Sequence, residues 1–241
     1  MKCNKLRYSL CFLLFILCVM LVGGKFQNTQ GEDEYLKFIH IPKNAGTTIE
    51  NISKKNGIEW GKFDNENLNP KGSYSCSSFW HDPNRYVSKE SRDETFCVIR
   101  DPVQRLISEY KYMYPHDRRK LNKEDYFTAT KLNAWISYVV EKKLYITGGN
   151  DCHLIPQTNY VYDVDGKRSC DNLLRFEYLN DDFNKLMKKK NLAHLELNEI
   201  HNKSSTHLQP ELTHNDITPE NMEKIKEIYH KDFALLETMN N

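Results

Sequence analysis

The sequence predicts an α/β fold in three layers: a central, mainly parallel sheet with helices on both faces, preceded by one apolar N-terminal helix. Two strand–loop–helix units carry that expectation, one over residues 35–56 and one over 95–110. The third observation is that apolar strand-like runs keep alternating with helix-period segments through much of the remaining chain. With 241 residues, the chain has enough length for one domain with a substantial core.

The N-terminus reads as a membrane anchor. Lys2, Lys5 and Arg7 precede an uncharged run from Tyr8 to Gly24, which sits at the lower limit for crossing a bilayer. Basic residues in front place residues 1–7 in the cytosol as a tail, 8–24 in the membrane, 25–34 as a polar stem and 35–241 as a lumenal domain. A cleaved signal peptide is the other reading, with Val22-Gly23-Gly24 as its small-residue site; the apolar run exceeds the usual core of roughly 7–15 residues, which favours the anchor. Both readings deliver the rest to the secretory lumen. The formal charge is +1, and it becomes −2 once the three leading basic residues are set aside, so no nucleic-acid partner is expected.

Four cysteines lie beyond the apolar segment: Cys76, Cys97, Cys152 and Cys170. In an oxidising lumen an even number invites pairing, with three connectivities open. Cys97 lies in an apolar strand and is expected as a buried thiol, and Cys152 with Cys170 as the bridge, closed around a hairpin.

The first unit begins with an apolar run from Tyr35 to Ile41, broken by Pro42 and followed by Lys43, Asn44, Ala45, Gly46, Thr47 and Thr48. A strand, a tight loop and a helix N-terminus in that order make an anion site, because free backbone N–H groups and the positive end of the helix dipole converge on the loop. Lys43 adds a full charge. The Lys precedes the Gly and no Gly opens the loop, so the pattern differs from the nucleotide-triphosphatase loop GxxxxGK[ST]. The helix is expected to stop near Asn56, with Gly57 as a left-handed terminator. Residues 58–74 read as loops around short extended pieces.

In Phe79-Trp80-His81-Asp82-Pro83, a histidine follows two aromatics and precedes a helix-forbidding proline, which places its imidazole at the end of a strand. Taken alone, such a histidine is equally a packed side chain. The second unit, Thr95 to Tyr110, is a strand ending in Arg100, then Asp101 as N-cap and Pro102 at the first helical position. Val103, Leu106, Ile107 and Tyr110 share one face of that helix, and Ser108 lies about two turns in. A guanidinium and a hydroxyl so placed make a second phosphate site; the alternative for Arg100 is an ion pair with Asp101 or another acid.

Residues 116–120 are a charge run. A helix is expected over 124–143 with Trp135 and Val139 turned inward, ended by Gly148-Gly149. The segment 152–162 leads into a hairpin turn at Asp163-Val164-Asp165-Gly166, Leu173 to Phe176 form a strand, and 181–190 a helix. Thr218-Pro219 caps a final helix that packs through Met222, Ile225, Tyr229 and Leu236. Sequons at Asn51 and Asn202 are expected to go unused, the first because it lies on the helix leaving the loop. No metal-ligand cluster is evident.

Several of these motifs agree with one family. The stretch His40-Ile-Pro-Lys43-Asn-Ala-Gly46-Thr47-Thr48 resembles the 5′-phosphosulfate loop of the Golgi membrane-bound carbohydrate sulfotransferases, and Val98-Ile-Arg100-Asp-Pro-Val-Gln-Arg-Leu-Ile-Ser108 resembles their 3′-phosphate motif. Ser78 to His81, Pro156-Gln157, Leu174 to Glu177 and Tyr229 to Phe233 are similar to further pieces, so the likeness spans nearly all of residues 36–236.

The resemblance implies a P-loop-like α/β fold, 3′-phosphoadenosine 5′-phosphosulfate (PAPS) as donor, no metal, and a glycan hydroxyl as acceptor. On that footing Pro42, Lys43, Asn44, Ala45, Gly46, Thr47 and Thr48 hold the 5′-phosphate, and Lys43 neutralises charge on the leaving oxygen. Arg100 and Ser108 take the 3′-phosphate, and Lys203 and Ser204 line the nucleotide from a late loop. His81 matches the position of the family's catalytic base and titrates near neutrality; Glu50 or Glu94 is the alternative, while His40 packs or braces the loop. Two other functions stay open: a P-loop phosphotransferase, which the missing Lys-Ser/Thr pair disfavours, and a catalytically silent lumenal glycan-binding protein.

Overall fold

The protein is described by a computed structural model over residues 36–63, 74, 76–83, 94–113, 127–149, 151–198 and 211–240. The expected tail, membrane segment and stem lie outside these residues, as do Lys203, Ser204, the charge run at 116–120 and Asn202. Among the described residues no helix is long and apolar enough to cross a membrane.

The sheet has three parallel strands in the order β1 (Leu36–Phe38), β2 (Glu94–Ile99), β3 (Asn172–Arg175). Phe38 pairs with Phe96 on one side, and Phe96 with Asn172 and Ile99 with Arg175 on the other. The central strand is apolar almost throughout because both of its faces are covered, the expected signature of a buried parallel strand. Phe96 and Val98 point into a core with Ile49 of α1 (Gly46–Lys55) and with Phe183 and Met187 of α6 (Leu179–Lys189). Cys97 and Ile99 face the opposite way, against Ile155, Tyr160 and Leu235. These two cores make the three expected layers.

A third core holds α2 (Pro102–Met113) against α3 (Ala129–Glu141) and α7 (Pro219–Ile228), centred on Tyr110, Leu132, Ile136 and Ile225. The inward turn of Trp135 and Val139 follows the expected face. Thr128, rather than Glu124, caps α3, its hydroxyl accepting from the Lys131 N–H. Lys143 in the left-handed region then interrupts the helix before the short α4 (Leu144–Thr147). Ahead of the expected hairpin turn lies a short helix, α5 (Thr158–Val161), held at its start by the buried Asp232, which accepts from the backbone N–H groups of Gln157 and Thr158. The turn at residues 163–166 is present, closed by Gly166 N–H to Asp163 and bounded by a Tyr162–Arg168 bridge. Thr218 and Pro219 open α7 as expected, but the final helix is two, with α8 (His230–Asn240) beginning after Tyr229 turns aside to hydrogen bond Leu154 O.

The expected disulfide pairing is incorrect. Cys76 is bonded to Cys152 and Cys97 to Cys170, so Cys97 is not a free thiol. Sequence favoured the short loop, whereas the fold brings Cys170, just ahead of β3, beside the middle of its neighbour β2.

Candidate active site

The carboxyl ends of the three strands open on one cavity of about 390 Å³. The apolar run of β1 continues into buried Ile39 and Ile41, and the chain then turns at Pro42. Lys43 (φ 70°) and Ala45 (φ 62°) are both left-handed, a pairing that aims successive N–H groups into one concavity. The N–H groups of Lys43, Ala45, Gly46 and Thr47 meet no acceptor among the described residues, whereas those of Asn44 and Thr48 are satisfied by Ile41 O and Ala45 O. Two left-handed non-glycine residues cost about 1–3 kcal/mol each, a strain associated with ligand-binding turns. Gly46 is required for a different reason: a Cβ there would lie 2.4 Å from Nε2 of His40.

Lys43 lines this cavity, with its ammonium 4.0 Å from the Tyr112 ring centre. Burial lowers its pKa to about 8, against the opposing attraction of Glu109. Arg100 leaves the end of β2, donates from Nη1 to Lys43 O at 3.0 Å and lies over the Phe176 ring. Its Nε is buried without a partner, and burial lowers the guanidinium to about 10. The expected ion pair with Asp101 does not form; Asp101 instead caps Gln104 N–H and meets His214. Ser108 lines the same cavity from α2.

Opposite the loop stand three buried imidazoles in a row. Ring centres of His40 and His81 are 4.9 Å apart, and those of His81 and His153 are 4.8 Å apart, both edge to face. Each has a carboxylate at Nδ1: Glu50 at 2.8 Å on His40, Asp151 at 2.9 Å on His81 and Glu109 at 2.7 Å on His153. A carboxylate only accepts, so each ring carries a proton on Nδ1, and in the neutral ring the lone pair is left on Nε2. Burial, and then repulsion from His40 and His153, pushes the pKa of His81 far down despite Asp151, so its imidazole is neutral at physiological pH. Burial alone would raise Asp151, but the Ser78 O–H and N–H and His81 outweigh it and hold the carboxyl below its ordinary value.

His81 does not sit at a strand end, as its sequence context suggested. It ends a 3₁₀ turn, Phe79–His81, fixed by the Cys76–Cys152 disulfide on one side and by Tyr160 O–H to His81 O on the other.

A family model described as the sulfotransferase family matches residues 29–237. The chain belongs to the sulfotransferase family. No curated protein and no solved structure matches it.

In this sulfotransferase the cavity gathers Pro42, Lys43, Ala45, Gly46, Thr47, Arg100, Ser108 and His81. Asn44 and Thr48 are placed differently. The Asn44 side chain turns inward and donates from Nδ2 to Val98 O and to Gln157 Oε1, both at 2.6 Å. Thr48 is buried, with its hydroxyl unpartnered. Of the alternative bases, Glu50 is committed to His40 and to the Lys62 N–H, and Glu94 lies at the far end of β2, paired with Lys190. Asn51 is exposed on α1, whereas Ser53 of the same sequon is buried and bonded to Glu50 O.

Residues to which the sequence assigned no role complete the site. Gln157 ties the loop to the second strand, accepting from Asn44 and from Arg100 N–H and donating to Arg100 O. Arg105 donates to Pro42 O and His153 O, joining loop to imidazole row. Asp151, His153 and Glu109 are 70, 72 and 28 positions from His81 in the chain, so no local pattern groups them. Glu109 follows Ser108 within a helix and Asp151 and His153 share one turn-like stretch, which is a weak signal.

Proposed function

We propose that this sulfotransferase moves a sulfuryl group from PAPS to a hydroxyl of a carbohydrate, and does so as a single-pass Golgi membrane enzyme with its catalytic domain in the lumen. One observation carries the chemistry: unsatisfied N–H groups, Lys43, Arg100 and Ser108 share a cavity with a neutral, carboxylate-held histidine. The donor-binding residues have unmet capacity suited to an anion, in the free N–H groups of the loop and the orphan Nε of Arg100. The placement in the secretory pathway rests on the apolar run of residues 8–24 and on two disulfides, which persist in oxidising compartments.

PAPS supplies an activated sulfuryl group on a phosphosulfate bridge. The loop N–H groups and the helix dipole of α1 hold its 5′-phosphate, and Arg100 with Ser108 the 3′-phosphate. His81 Nε2 takes the proton of the acceptor hydroxyl as its oxygen bonds to sulfur. The bond between sulfur and the bridging oxygen breaks, the electron pair remains on that oxygen, and the Lys43 ammonium stabilises the charge that develops there. Asp151 keeps Nε2 unprotonated and then balances the imidazolium. Alignment and charge stabilisation supply most of the acceleration, as in phosphoryl transfer. The exposed Phe79 and the half-buried Trp80 beside the cavity mouth offer faces against which a sugar ring can stack.

Thermal unfolding of the full chain tests the donor. Adenosine 3′,5′-bisphosphate should raise the melting temperature well beyond ATP at equal concentration, since a ligand stabilises the state that binds it. Equal shifts would remove the PAPS assignment, and labelled transfer to a panel of glycans, lipids and tyrosine peptides identifies the acceptor.

A further inference from the structure

We propose that His81, His153 and Asp151 form a binding site for one zinc-type transition-metal ion, and that occupancy of this site reversibly shuts the enzyme off. Ligand atoms from the three residues lie within 4.8 Å of one another. Two imidazoles and a carboxylate are a common protein ligand set for zinc, with bonds of about 2.0–2.2 Å and so ligand atoms roughly 3.3 Å apart. The longest of those separations must close by roughly 1.5 Å for all three to hold one ion.

The surroundings favour this set over an ordinary histidine cluster. His153 donates Nδ1–H to Glu109 at 2.7 Å, which fixes the tautomer with Nε2 as the free ligand atom. A carboxylate behind a ligating imidazole is the usual outer partner of a zinc site, orienting the ring and raising its basicity. Glu109 is fully buried, and its second oxygen, Oε1, has no hydrogen-bond partner. A cation on His153 would add to the attraction that Lys43 already offers this carboxylate. Asp151 is anchored by Ser78 through both the backbone N–H and the hydroxyl, so it is preset rather than wandering. The Cys76–Cys152 disulfide tethers the segment bearing His81 to the turn bearing Asp151 and His153.

Metal binding itself is independent of the proposed reaction. The shut-off rests on that reading: beside Asp151 the ion takes the place of the His81 Nδ1 proton, and the neutral ring then carries its proton on Nε2, which fills the lone pair that would receive the acceptor's proton. Lys43, with its ammonium against the Tyr112 ring beside His153, adds a like charge, so the site binds with moderate affinity and releases its ion to a chelator.

Cobalt(II) serves as the spectroscopic probe and zinc as its competitor, using the full chain. One equivalent of cobalt should give the intense visible bands of a four-coordinate site, and zinc should abolish them. Asp151→Asn and His153→Gln should each weaken cobalt binding at least tenfold, and zinc should inhibit sulfuryl transfer by the wild type reversibly on addition of EDTA. Weak six-coordinate bands in the wild type, or affinity unchanged in both variants, would overturn the site, and this holds even if either variant fails to fold, because the wild-type spectrum decides alone. Adenosine 3′,5′-bisphosphate binding is measured in parallel. Metal binding without nucleotide binding would sink the donor assignment and leave the metal site standing; the reverse would sink only the metal site.

Discussion

Nδ1 of His81 lies 2.9 Å from Oδ2 of Asp151, a contact between residues 70 positions apart. It is the middle member of three histidine–carboxylate pairs stacked in one row along the cavity that Lys43 also lines, and burial with a histidine on either side holds this ring neutral.

Asp151→Asn should therefore lower kcat by roughly 10²–10⁴-fold, the usual range for losing a positioned acid–base group, while donor KM changes little. An amide can offer its N–H to Nδ1, which moves the imidazole proton to Nε2 and removes the acceptor lone pair. His81→Ala should fall at least as far, and steady-state kinetics with both substrates varied separates the two effects. Full activity in His81→Ala would move the base to another residue.

The rate should fall as pH rises through the Lys43 pKa. Burial sets that value at about 8 in the free protein, so the ammonium is present below it and lost above it. The falling limb of kcat/KM should sit near pH 8, and the limb of kcat higher, because bound phosphates hold the lysine proton more tightly. Lys43→Arg keeps a permanent charge and should push the limb out of range, at the expense of a lower maximum. A profile that keeps its limb in this variant would assign the titration elsewhere.

Gly46→Ala should abolish donor binding more than it destabilises the fold. The added methyl would lie 2.4 Å from His40 Nε2, so either the ring or the loop must shift. Calorimetry with adenosine 3′,5′-bisphosphate measures the loss, and circular dichroism reports whether the rest is folded. Asn44→Ala acts from beneath the same loop: it leaves Val98 O and Gln157 Oε1 short of a donor and should cost about 1–3 kcal/mol of stability.

Replacing Cys76 and Cys152 together by Ser should cost roughly 2–4 kcal/mol of stability and most of the transfer activity. The bond joins the His81 turn to the Asp151–His153 turn, so its loss separates the base from its partner while the Lys43 loop remains in place. Nucleotide affinity should accordingly survive within a few-fold. Mass spectrometry of a non-reducing digest checks the connectivity directly, and a Cys152–Cys170 peptide would contradict the structure.

Much of the donor side was legible because it is local. Pro42 through Thr48 and Arg100 through Ser108 are consecutive stretches in which strand, turn and helix signals occur in order, and the periodicity of Val103, Leu106, Ile107 and Tyr110 fixed which face of α2 is buried. The stop of α1 at Asn56, before left-handed Gly57, and the Thr218-Pro219 start of α7 followed from capping chemistry. The Asn44 side chain, assigned no part by the sequence, serves the loop's own backbone by reaching Val98.

The sequence by itself determined the α/β class and the order of strand, tight loop and helix in its two units, since each depends on residues within a short stretch of chain. Only the tertiary structure decided the disulfide pairs, the carboxylate behind each histidine and the assembly of His81 with Asp151 and His153. Apart from His40 with Glu50, 10 positions away, those contacts span 44 to 76 positions in the chain, and they exist because β2 lies between β1 and β3 and draws the intervening loops to one end of the sheet. Local chemistry names a residue's capacity, but the partner that sets its protonation and direction comes from packing.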